Sequence, residues 1–151
     1  MNPNTSIRTI MTKVTLTVPP DNPVANIEGI FKQYPFHHLP VINKEQKVLG
    51  IISRADVSTF RKKINLETSG QSYSQHMINS TKAKDIMTSD PTVLDPDDSI
   101  GLAADIFLAN QFHALPITED NKLVGIVTRH DLLQYAFKSV IYGNDDPFSE
   151  E

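Results

Sequence analysis

Apolar and polar positions follow the same order twice along the chain. Each half has a short β-branched run, a proline- and aspartate-containing turn, a helical pattern, two apolar runs around a polar turn, and a second helical pattern. Apolar side chains three and four residues apart are typical of an amphipathic helix, and paired apolar runs around a short polar turn are typical of a hairpin. The pattern therefore predicts an α/β (α+β) fold of two β-α-β-β-α units.

The spacing also predicts where these elements begin and which faces they bury. The opening strands are predicted at Val14–Val18 and Pro91–Leu94, and Asn22 is predicted to cap a helix that has Pro23 at its first position. The predicted buried helix faces are Val24, Ile27, Ile30, Phe31 and Tyr34, then Val57, Phe60 and Ile64, in the first unit, and Ile100, Ala103, Ile106 and Phe107, then Leu133, Ala136, Phe137 and Val140, in the second.

The repeat extends to individual residues. A shift of 76 positions superposes "IMT" at Ile10–Thr12 on Ile86–Thr88, and a shift of 75 superposes "GIISRAD" at Gly50–Asp56 on "GIVTRHD" at Gly125–Asp131. An ordered series with one gap indicates two copies of one unit, and such copies bury a face against each other. We therefore expect a first unit at residues 1–65, a polar linker loop at 66–80, a second unit at 81–142 and a frayed acidic tail at 143–151.

Composition and charge narrow the class of protein. The 151 residues are 39% hydrophobic and 21% charged, with a formal net charge of −4 and no cysteine. These values are ordinary for a globular protein and exclude disulfides and cysteine-ligated zinc. The acidic balance argues against a broad nucleic-acid surface, and no apolar run is long enough to span a membrane. The first residues lack the apolar core of a secretory signal, so we expect a cytoplasmic protein.

The repeated seven-residue pattern has two compatible interpretations. Ser53 and Asp56, like Thr128 and Asp131, have the spacing of a capping box, in which hydroxyl and acid satisfy the first amides of a helix. A strand that runs into a helix N-terminus also presents free N–H groups that suit phosphate, and a nearby carboxylate can accept hydrogen bonds from ribose hydroxyls. The spacing alone leaves both interpretations open.

The repeated motifs resemble those of a tandem pair of cystathionine-β-synthase (CBS) domains, often called a Bateman module. "IMT" opens each copy, "HHLPVI" and "HALPIT" lie in the middle, and the seven-residue pattern closes it, so the resemblance covers about residues 7–141. It implies two units packed sheet to sheet around a pseudo-two-fold axis, with two clefts between them. The family pattern has a hydroxyl at its sixth position, where this chain has Ala55 and His130.

The resemblance also implies which residues contact a nucleotide. Asp131 and Asp56 would hold ribose hydroxyls, and Thr128 and Ser53 would contact phosphate, with Arg129, Arg54 and His130 adjacent. The Asp131 cleft would add Thr12, Leu16, Phe36, His37 and His38. The Asp56 cleft would add Thr88, Thr92, Phe112 and His113. Because His38 has Ala114 as its counterpart, we expect the Asp131 cleft to bind more tightly. From the residues alone, Phe36 and Phe112 are either core or ligand-stacking side chains.

We therefore expect a stand-alone regulatory module that binds AMP, ADP or ATP, or less readily S-adenosylmethionine or NAD(H), requires no cofactor, and forms a homodimer. A regulated protein partner is possible, whereas a membrane or nucleic-acid partner is not expected. The alternative is a ligand-free interaction module with degenerate clefts. Neither a metal-binding histidine spacing nor a nucleophile motif is present, so we expect no enzymatic activity.

Overall fold

The computed structural model describes residues 2–13, 16–67, 70–110 and 112–142. Helices and strands alternate in the predicted mixed α/β manner, which confirms the fold class. A 3₁₀ turn at Ile7–Thr9 precedes six helices and five strands of the described residues: α1 Val24–Gln33, β1 His38–Ile42, β2 Val48–Ser53, α2 Arg54–Glu67, α3 Gln71–Ser80, α4 Ala83–Ile86, β3 Thr88–Ser89, α5 Ile100–Ala109, β4 Ala114–Glu119, β5 Lys122–Thr128 and α6 Arg129–Tyr142.

The strands form two small antiparallel sheets. β2 is the central strand of the order β1-β2-β3, and β4 pairs with β5 in a separate hairpin. In the first sheet, Leu39 lies opposite Ile52 and Pro40 opposite Ile51. Both predicted hairpins are therefore confirmed, because apolar, β-branched runs around a polar turn pair locally.

The chain forms two compact units that do not coincide with the two sequence repeats. The β1–β2 unit contains Val14–Pro91 and Asp120–Leu123, and the β4–β5 unit contains Met1–Lys13, Thr92–Glu119 and Val124–Glu151. The segment before each repeat's first helix is therefore shared between two units. Residues 1–13 of the first repeat belong to the unit that is built mainly from the second repeat.

Backbone hydrogen bonds hold the opening segment of each repeat against the first helix of the other repeat. In the β4–β5 unit, Ile100 N–H donates to the Thr5 carbonyl over 2.8 Å. In the β1–β2 unit, Val24 N–H donates to the Thr81 carbonyl, also over 2.8 Å. The first amides of a helix have no partner within the helix, so an extended segment that supplies carbonyls satisfies them. Both units therefore satisfy the first amide of a helix in the same way, with a carbonyl from the opening segment of the other repeat.

Each unit has its own apolar core. In the β1–β2 unit, Ile27 and Phe31 of α1 pack with Leu39 and Ile52 of the sheet and Val57 of α2. The corresponding core of the β4–β5 unit consists of Ile7, Leu94, Ala103, Phe107, Leu115, Ile117 and Val127. Burial of these side chains on one helix stripe and one sheet face is the main stabilisation of each unit.

Two predicted strands are wrong in extent. Val18 makes only an isolated bridge to Val41, and Leu94 only one to Ile117. Val14 and Thr15 of the first prediction lie outside the described residues. β-Propensity alone predicted strands here, whereas each segment forms only one isolated bridge and then leads into the next helix.

The linker prediction also needs correction. Residues Gln71–Ser80 form helix α3, which packs against α1 and α2. Ile78 of α3 is buried with Val24 and Ile64. The local sequence shows little helical periodicity, so this helix depends on the apolar surface that α1 and α2 offer it.

Three smaller predictions about the helices are wrong. Helix α1 begins at Val24, with Pro23 in the extended conformation before it, and the Asn22 side chain accepts from Asn26 instead of capping the helix. Tyr34 lies half exposed at the end of α1. Leu133 and Phe137 are 58% and 51% exposed, so the predicted buried face of α6 is wrong at both positions.

Candidate functional site

The strand–helix junction of each repeat is a capping box, as the spacing predicts. In the β1–β2 unit, Ser53 N–H donates to Asp56 Oδ2 over 2.8 Å, and Asp56 N–H donates to Ser53 Oγ over 3.1 Å. In the β4–β5 unit, the matching distances between Thr128 and Asp131 are 2.8 Å and 3.2 Å. The two junctions therefore have the same local geometry, with an acid near the positive end of a helix.

The capping box leaves part of each acid available. Only Oδ2 of Asp56 and of Asp131 takes part in the box, and Oδ1 has no hydrogen bond within the described residues. The Ser53 and Thr128 hydroxyls accept one backbone hydrogen bond each, and their protons remain free to donate. Each half-buried junction therefore presents one acceptor oxygen and one donor hydroxyl three residues apart.

A glycine on the strand brings the "IMT" threonine beside each junction. Thr12 and Ile126 exchange both backbone hydrogen bonds at 2.9 Å, and Thr88 lies opposite Ile51 in the sheet. Such close approach requires a residue without a side chain at Gly125 and Gly50. This role of the glycines could be suspected from the sequence only through the presence of both the glycine and "IMT" in each repeat.

Methionine side chains cover the two glycines. A Cβ atom at Gly50 would lie 2.4 Å from Met87 Sδ and 2.8 Å from the Thr88 carbonyl oxygen. At Gly125 the corresponding distances, to Met11 Sδ and the Thr12 carbonyl oxygen, are 2.9 Å and 3.0 Å. In each unit, therefore, the glycine, methionine and threonine of the motifs form one packed contact that positions the threonine.

The arginine of each junction is turned toward its own unit. Arg54 donates from Nε to the Phe36 carbonyl over 2.8 Å and from a terminal nitrogen to the Tyr34 carbonyl, and its guanidinium lies 5.2 Å from the Phe31 ring centroid. A cation near the last carbonyls of a helix offsets the negative end of its dipole. Arg54 therefore joins the end of α1 to the start of α2.

Arg129 makes the corresponding connection with poorer pairing. It donates from one terminal nitrogen to the Phe107 and Asn110 carbonyls at 3.3 Å and 3.0 Å. Its Nε is buried and has no hydrogen-bond partner among the described residues. Both arginines thus hold a helix end, and in this geometry their charge is already directed to carbonyl oxygens.

The predicted aromatic residues pack within their units. Phe36 is stacked on Tyr34 with ring centroids 5.5 Å apart, and it meets Phe31 edge to face at 6.4 Å. Phe112 packs against the core of the β4–β5 unit. Of the two interpretations left open for the phenylalanines, the contacts within each unit correspond to the core one.

The histidines of the "HHLP" and "HALP" motifs follow the same path in both units. His37 and His113 are exposed, and their carbonyls accept from Arg54 N–H and Arg129 N–H at 3.0 Å and 3.2 Å. His38 lies opposite Ser53 in the sheet. The exposed imidazoles therefore lie at the chain segment that contacts the start of each closing helix.

The structure divides the predicted site residues equally between the units. The β4–β5 unit contains Thr12, Thr92, Phe112, His113, Thr128, Arg129, His130 and Asp131, and the β1–β2 unit contains Leu16, Phe36, His37, His38, Ser53, Arg54, Asp56 and Thr88. Leu16 packs against its core, while Thr92 and His130 are exposed. Each unit alone therefore supplies an acid, a capping hydroxyl, an "IMT" threonine and at least one histidine.

Two clefts of the β1–β2 unit lie along helix α2, and the smaller one includes Arg54 of the junction. The larger, about 700 Å³, is lined by Gly70 and by polar residues of α2 and α3 that carry no sequence motif: Arg61, Asn65, Gln71, Ser72, Ser74 and Gln75. A groove of about 210 Å³ between α1 and α2 contains Glu28 and Arg61, joined by hydrogen bonds of 2.6 Å and 3.2 Å. The Arg61 guanidinium holds the pKa of Glu28 below its usual value.

Metal and membrane chemistry find no support in the part of the chain that the structure describes. Within residues 2–13, 16–67, 70–110 and 112–142, no group of three or more acidic or histidine side chains is placed to hold a metal ion. Among the same residues, no helix has both the length and the apolar character needed to cross a bilayer.

Comparison with known proteins identifies the repeated unit. The CBS domain model matches residues 7–63 and 83–138. Among curated proteins, the uncharacterized protein MJ1426 of Methanocaldococcus jannaschii is 30% identical, over 85% of this chain and 89% of its own length. Inosine-5'-monophosphate dehydrogenase of the same organism is 31% identical over 83% of this chain, but this chain covers only 22% of that enzyme.

Solved structures share the fold. CBSX2 in complex with AMP superposes with a TM-score of 0.72 at 24% identity, over 88% of this chain and 96% of that one; another solved CBSX2 chain is from Arabidopsis thaliana. The CBS domain pair of MJ0100, solved with 5'-methylthioadenosine and S-adenosyl-L-methionine, superposes with a TM-score of 0.73 at 20% identity, over 91% and 99% of the two chains.

Proposed function

The chain belongs to the CBS-domain family as a tandem pair, and from this premise we propose that it is a regulatory module that binds an adenosyl ligand and performs no chemistry. The ligand we propose is AMP, ADP or ATP, ahead of S-adenosylmethionine and NAD(H). One observation carries this proposal. At the strand–helix junction of each repeat, one oxygen of the capping acid and the proton of the capping hydroxyl have no hydrogen-bond partner among the described residues.

The chemistry of the junction suits a nucleoside phosphate. A carboxylate oxygen accepts from two neighbouring ribose hydroxyls, whereas a hydroxyl near a helix N-terminus donates to phosphate. We assign the first function to Asp131 and Asp56 and the second to Thr128 and Ser53. Solved structures of the same fold contain AMP in CBSX2 and S-adenosyl-L-methionine in MJ0100, which supports an adenosyl group as the shared element.

The arginines take a different part in this proposal from the one their sequence position suggests. Arg54 and Arg129 bind the carbonyls at the ends of α1 and α5. We therefore assign them to positioning each junction rather than to ligand contact. Of the residues near the junctions, His37, His113 and His130 are exposed, and we propose their imidazoles as hydrogen-bond donors to a phosphate.

We further propose that the Asp131 junction binds the ligand more tightly than the Asp56 junction. His130 supplies a donor at the motif position where the other repeat has Ala55. An imidazole can donate a hydrogen bond to a phosphate, while alanine cannot.

Calorimetric titration of the whole chain with AMP, ADP, ATP, S-adenosylmethionine and NADH tests the proposal. Asp131→Asn keeps an oxygen for the capping bond but removes the charge, and we expect at least about tenfold weaker AMP binding, because hydrogen bonds to charged groups contribute about 1.5–3 kcal/mol. Asp56→Asn should weaken a second, lower-affinity event. Asp98→Asn is the matched control, since Asp98 Oδ2 accepts from Asp95 N–H over 2.8 Å in a turn without predicted ligand contacts.

Thermal unfolding gives an independent readout. A ligand present at 100 times its Kd should stabilise the protein by about 2.7 kcal/mol. Absence of any stabilisation by all five ligands would favour a ligand-free interaction module. That alternative is suggested by Ala55 and His130, which replace the hydroxyl residue at the sixth position of the family pattern. Equal losses in Asp131→Asn and Asp56→Asn would refute the ranking of the two junctions.

A further inference from the structure

A serine is buried on the inner face of helix α3 in the β1–β2 unit. Ser74 is 8% exposed, and no other polar side chain of the described residues is as deeply buried. Its hydroxyl makes no hydrogen bond to any of those residues. Buried hydroxyls are almost always hydrogen-bonded, so this one needs an explanation. Ser74 borders the space of about 700 Å³ that we name the α2/α3 cleft, lined by Arg61, Asn65, Gln71, Ser72, Ser74 and Gln75.

Another serine of the same helix shows the ordinary arrangement. Ser80 Oγ donates to the His76 carbonyl over 2.8 Å, and this bond to the fourth residue back is the usual one for a helical serine. The carbonyl four residues before Ser74 is that of Gly70, which accepts the Ser74 N–H over 3.2 Å and not the hydroxyl. The Ser74 hydroxyl can therefore donate to a group in the cleft.

The first amides of α3 also have no acceptor. Helix α3 begins after Gly70, which has no side chain with which to cap it. The N–H groups of Gln71, Ser72 and Tyr73 make no hydrogen bond within the part of the chain that the structure describes. Unpaired N–H groups at the start of a helix attract anions. Gln71 and Ser72 line the α2/α3 cleft, so this attraction acts on whatever occupies it.

Arg61 of α2 gives the cleft a cation. Its Nε and one terminal nitrogen donate to Glu28 over 3.2 Å and 2.6 Å, while its other terminal nitrogen has no hydrogen bond among the described residues. Glu28 also lies 3.7 Å from Lys32 Nζ, so one negative charge is shared by two positive charges. None of the described residues that line the cleft is acidic. The local charge therefore favours an anion.

The second repeat lacks this chemistry. The shift that superposes the repeats places Ala136 at the position of Arg61 and Ala104 at the position of Glu28. Helix α3 lies between the two repeats and has no helix corresponding to it among the described residues of the second. The cleft is therefore separate from the strand–helix junctions, which occur in both repeats.

We propose that the α2/α3 cleft binds a hydroxylated phosphomonoester of the sugar-phosphate class. The free nitrogen of Arg61, the Ser74 hydroxyl and the first amides of α3 are three donor groups, which match the three terminal oxygens of a phosphate. A carboxylate has only two oxygens. The volume of the cleft exceeds that of an inorganic ion and lies in the range of small-molecule sites. The amides of Asn65 and Gln75 suit the hydroxyls of a sugar.

NMR titration of the ¹⁵N-labelled whole chain with ribose 5-phosphate tests the proposal. We expect saturable shifts of the Ser72 and Ser74 amides with ribose 5-phosphate and none with ribose. Ser74→Ala should weaken the binding about fivefold, because one neutral hydrogen bond is lost. Arg61→Ala, which installs the residue of the second repeat, should weaken it at least about tenfold, because a hydrogen bond to a charged group is lost.

Two variants on the same helices are matched controls. Ser80→Ala removes a hydroxyl that is already bonded to its own helix, and Lys62→Ala removes a positive charge that does not line the cleft. Both should bind ribose 5-phosphate as the natural chain does. Circular dichroism should show natural helix content in Ser74→Ala, since alanine is a better helix former than serine. This variant therefore tests the cleft even if Arg61→Ala is less stable.

Junction variants separate this inference from the proposed function. No residue of the α2/α3 cleft is among the proposed junction contacts, so Asp131→Asn with Asp56→Asn should bind ribose 5-phosphate unchanged. Binding of ribose 5-phosphate by a chain that fails to bind AMP would support only the cleft, and AMP binding without ribose 5-phosphate binding would support only the junctions.

Four results would overturn the assignment of the cleft. They are no saturable binding of ribose 5-phosphate at millimolar concentration, equal binding of ribose, affinity unaffected by both Ser74→Ala and Arg61→Ala, or loss of the binding in Asp131→Asn with Asp56→Asn.

Discussion

The two units have the same hydrogen-bond geometry at their capping boxes but different residues on the surfaces of their helices. Both capping boxes have donor–acceptor distances of 2.8 Å from the capping N–H to the acid, in Ser53–Asp56 and Thr128–Asp131. Between the paired helices, however, one unit places the Glu28–Arg61 ion pair and the other Ala104 and Ala136. The internal geometry of the repeat is thus constrained by packing and hydrogen bonding, whereas its outer face is free to acquire a separate function.

The largest effect on this comparison should come from the glycines that both units need. Gly50→Ala should destabilise the protein by about 3 kcal/mol and Gly125→Ala by about 2 kcal/mol, within the range for overpacked sites. The ranking follows from the shorter distance at Gly50, where the new methyl would lie 2.8 Å from the Thr88 carbonyl oxygen, against 3.0 Å from Thr12 at Gly125. Urea unfolding followed by circular dichroism measures both.

Gly29→Ala is the matched control for the two glycine variants. A Cβ atom at Gly29, inside α1, meets nothing within 4 Å. Alanine is a better helix former than glycine by about 0.8–1.0 kcal/mol, so this variant should be more stable than the natural chain. Equal stability of all three variants would show that the methionine contacts yield without cost and that the glycines have another function.

The caps should have a smaller and nearly equal effect in the two units. Ser53→Ala and Thr128→Ala each remove the side-chain acceptor for one helix amide, and we expect a loss of about 1 kcal/mol in each case. The acceptor distances, 3.1 Å and 3.2 Å, predict no ranking. Urea midpoints of the two variants that differ by more than their error would contradict the equivalence of the junctions.

The smallest effect should come from the ion pair that distinguishes the helix pairs. Arg61 lowers the pKa of Glu28 from its usual 4.5, so the stabilisation is fully present above that value and is lost as the pH falls through the lower pKa of the folded protein. Glu28→Gln should therefore reduce stability by about 0.5 kcal/mol at pH 7, with the difference from the natural chain shrinking below about pH 4.5.

Glu28→Ala with Arg61→Ala tests the same pair from the other side. The double variant gives α1 and α2 the residues that Ala104 and Ala136 provide between α5 and α6. It should lose less stability than Arg61→Ala alone, because that single substitution leaves the Glu28 carboxylate with only the longer 3.7 Å ion pair to Lys32. Urea unfolding at pH 7 and pH 3.5 measures both differences, and an unchanged pH dependence in the double variant would contradict the assignment to Glu28.

Much of the site can be predicted from the sequence because the residues that form it are close together in the chain. The hydroxyl and the acid of each capping box are three residues apart, so the spacing alone predicts their hydrogen bonds, and both were confirmed. The hairpins β1–β2 and β4–β5 also depend on short turns and were confirmed. By contrast, the proposed ligand functions of Asp56 and Asp131 stay predictions.

Other features depend on residues far apart in the chain. Helix α3 was missed because its apolar partners, Val24 and Ile64, come from α1 and α2 rather than from its own periodicity. The exposure of Phe137 was missed for a related reason, since helical spacing shows that apolar residues share a face but not whether another element covers it. The carbonyl partners of Arg54 and Arg129 lie about twenty residues away, so the local motif could not show that these side chains hold a helix end.

The sequence by itself determined the number of units, their class, their hairpins and the capping boxes at Ser53–Asp56 and Thr128–Asp131, because these follow from residues within a few positions of one another and from the repetition of one pattern. Only the tertiary structure decided that residues 1–13 join the β4–β5 unit, and that Gly50 and Gly125 receive a methionine from a segment more than thirty residues away. Close packing requires knowledge of both surfaces, and a single stretch of sequence describes only one of them.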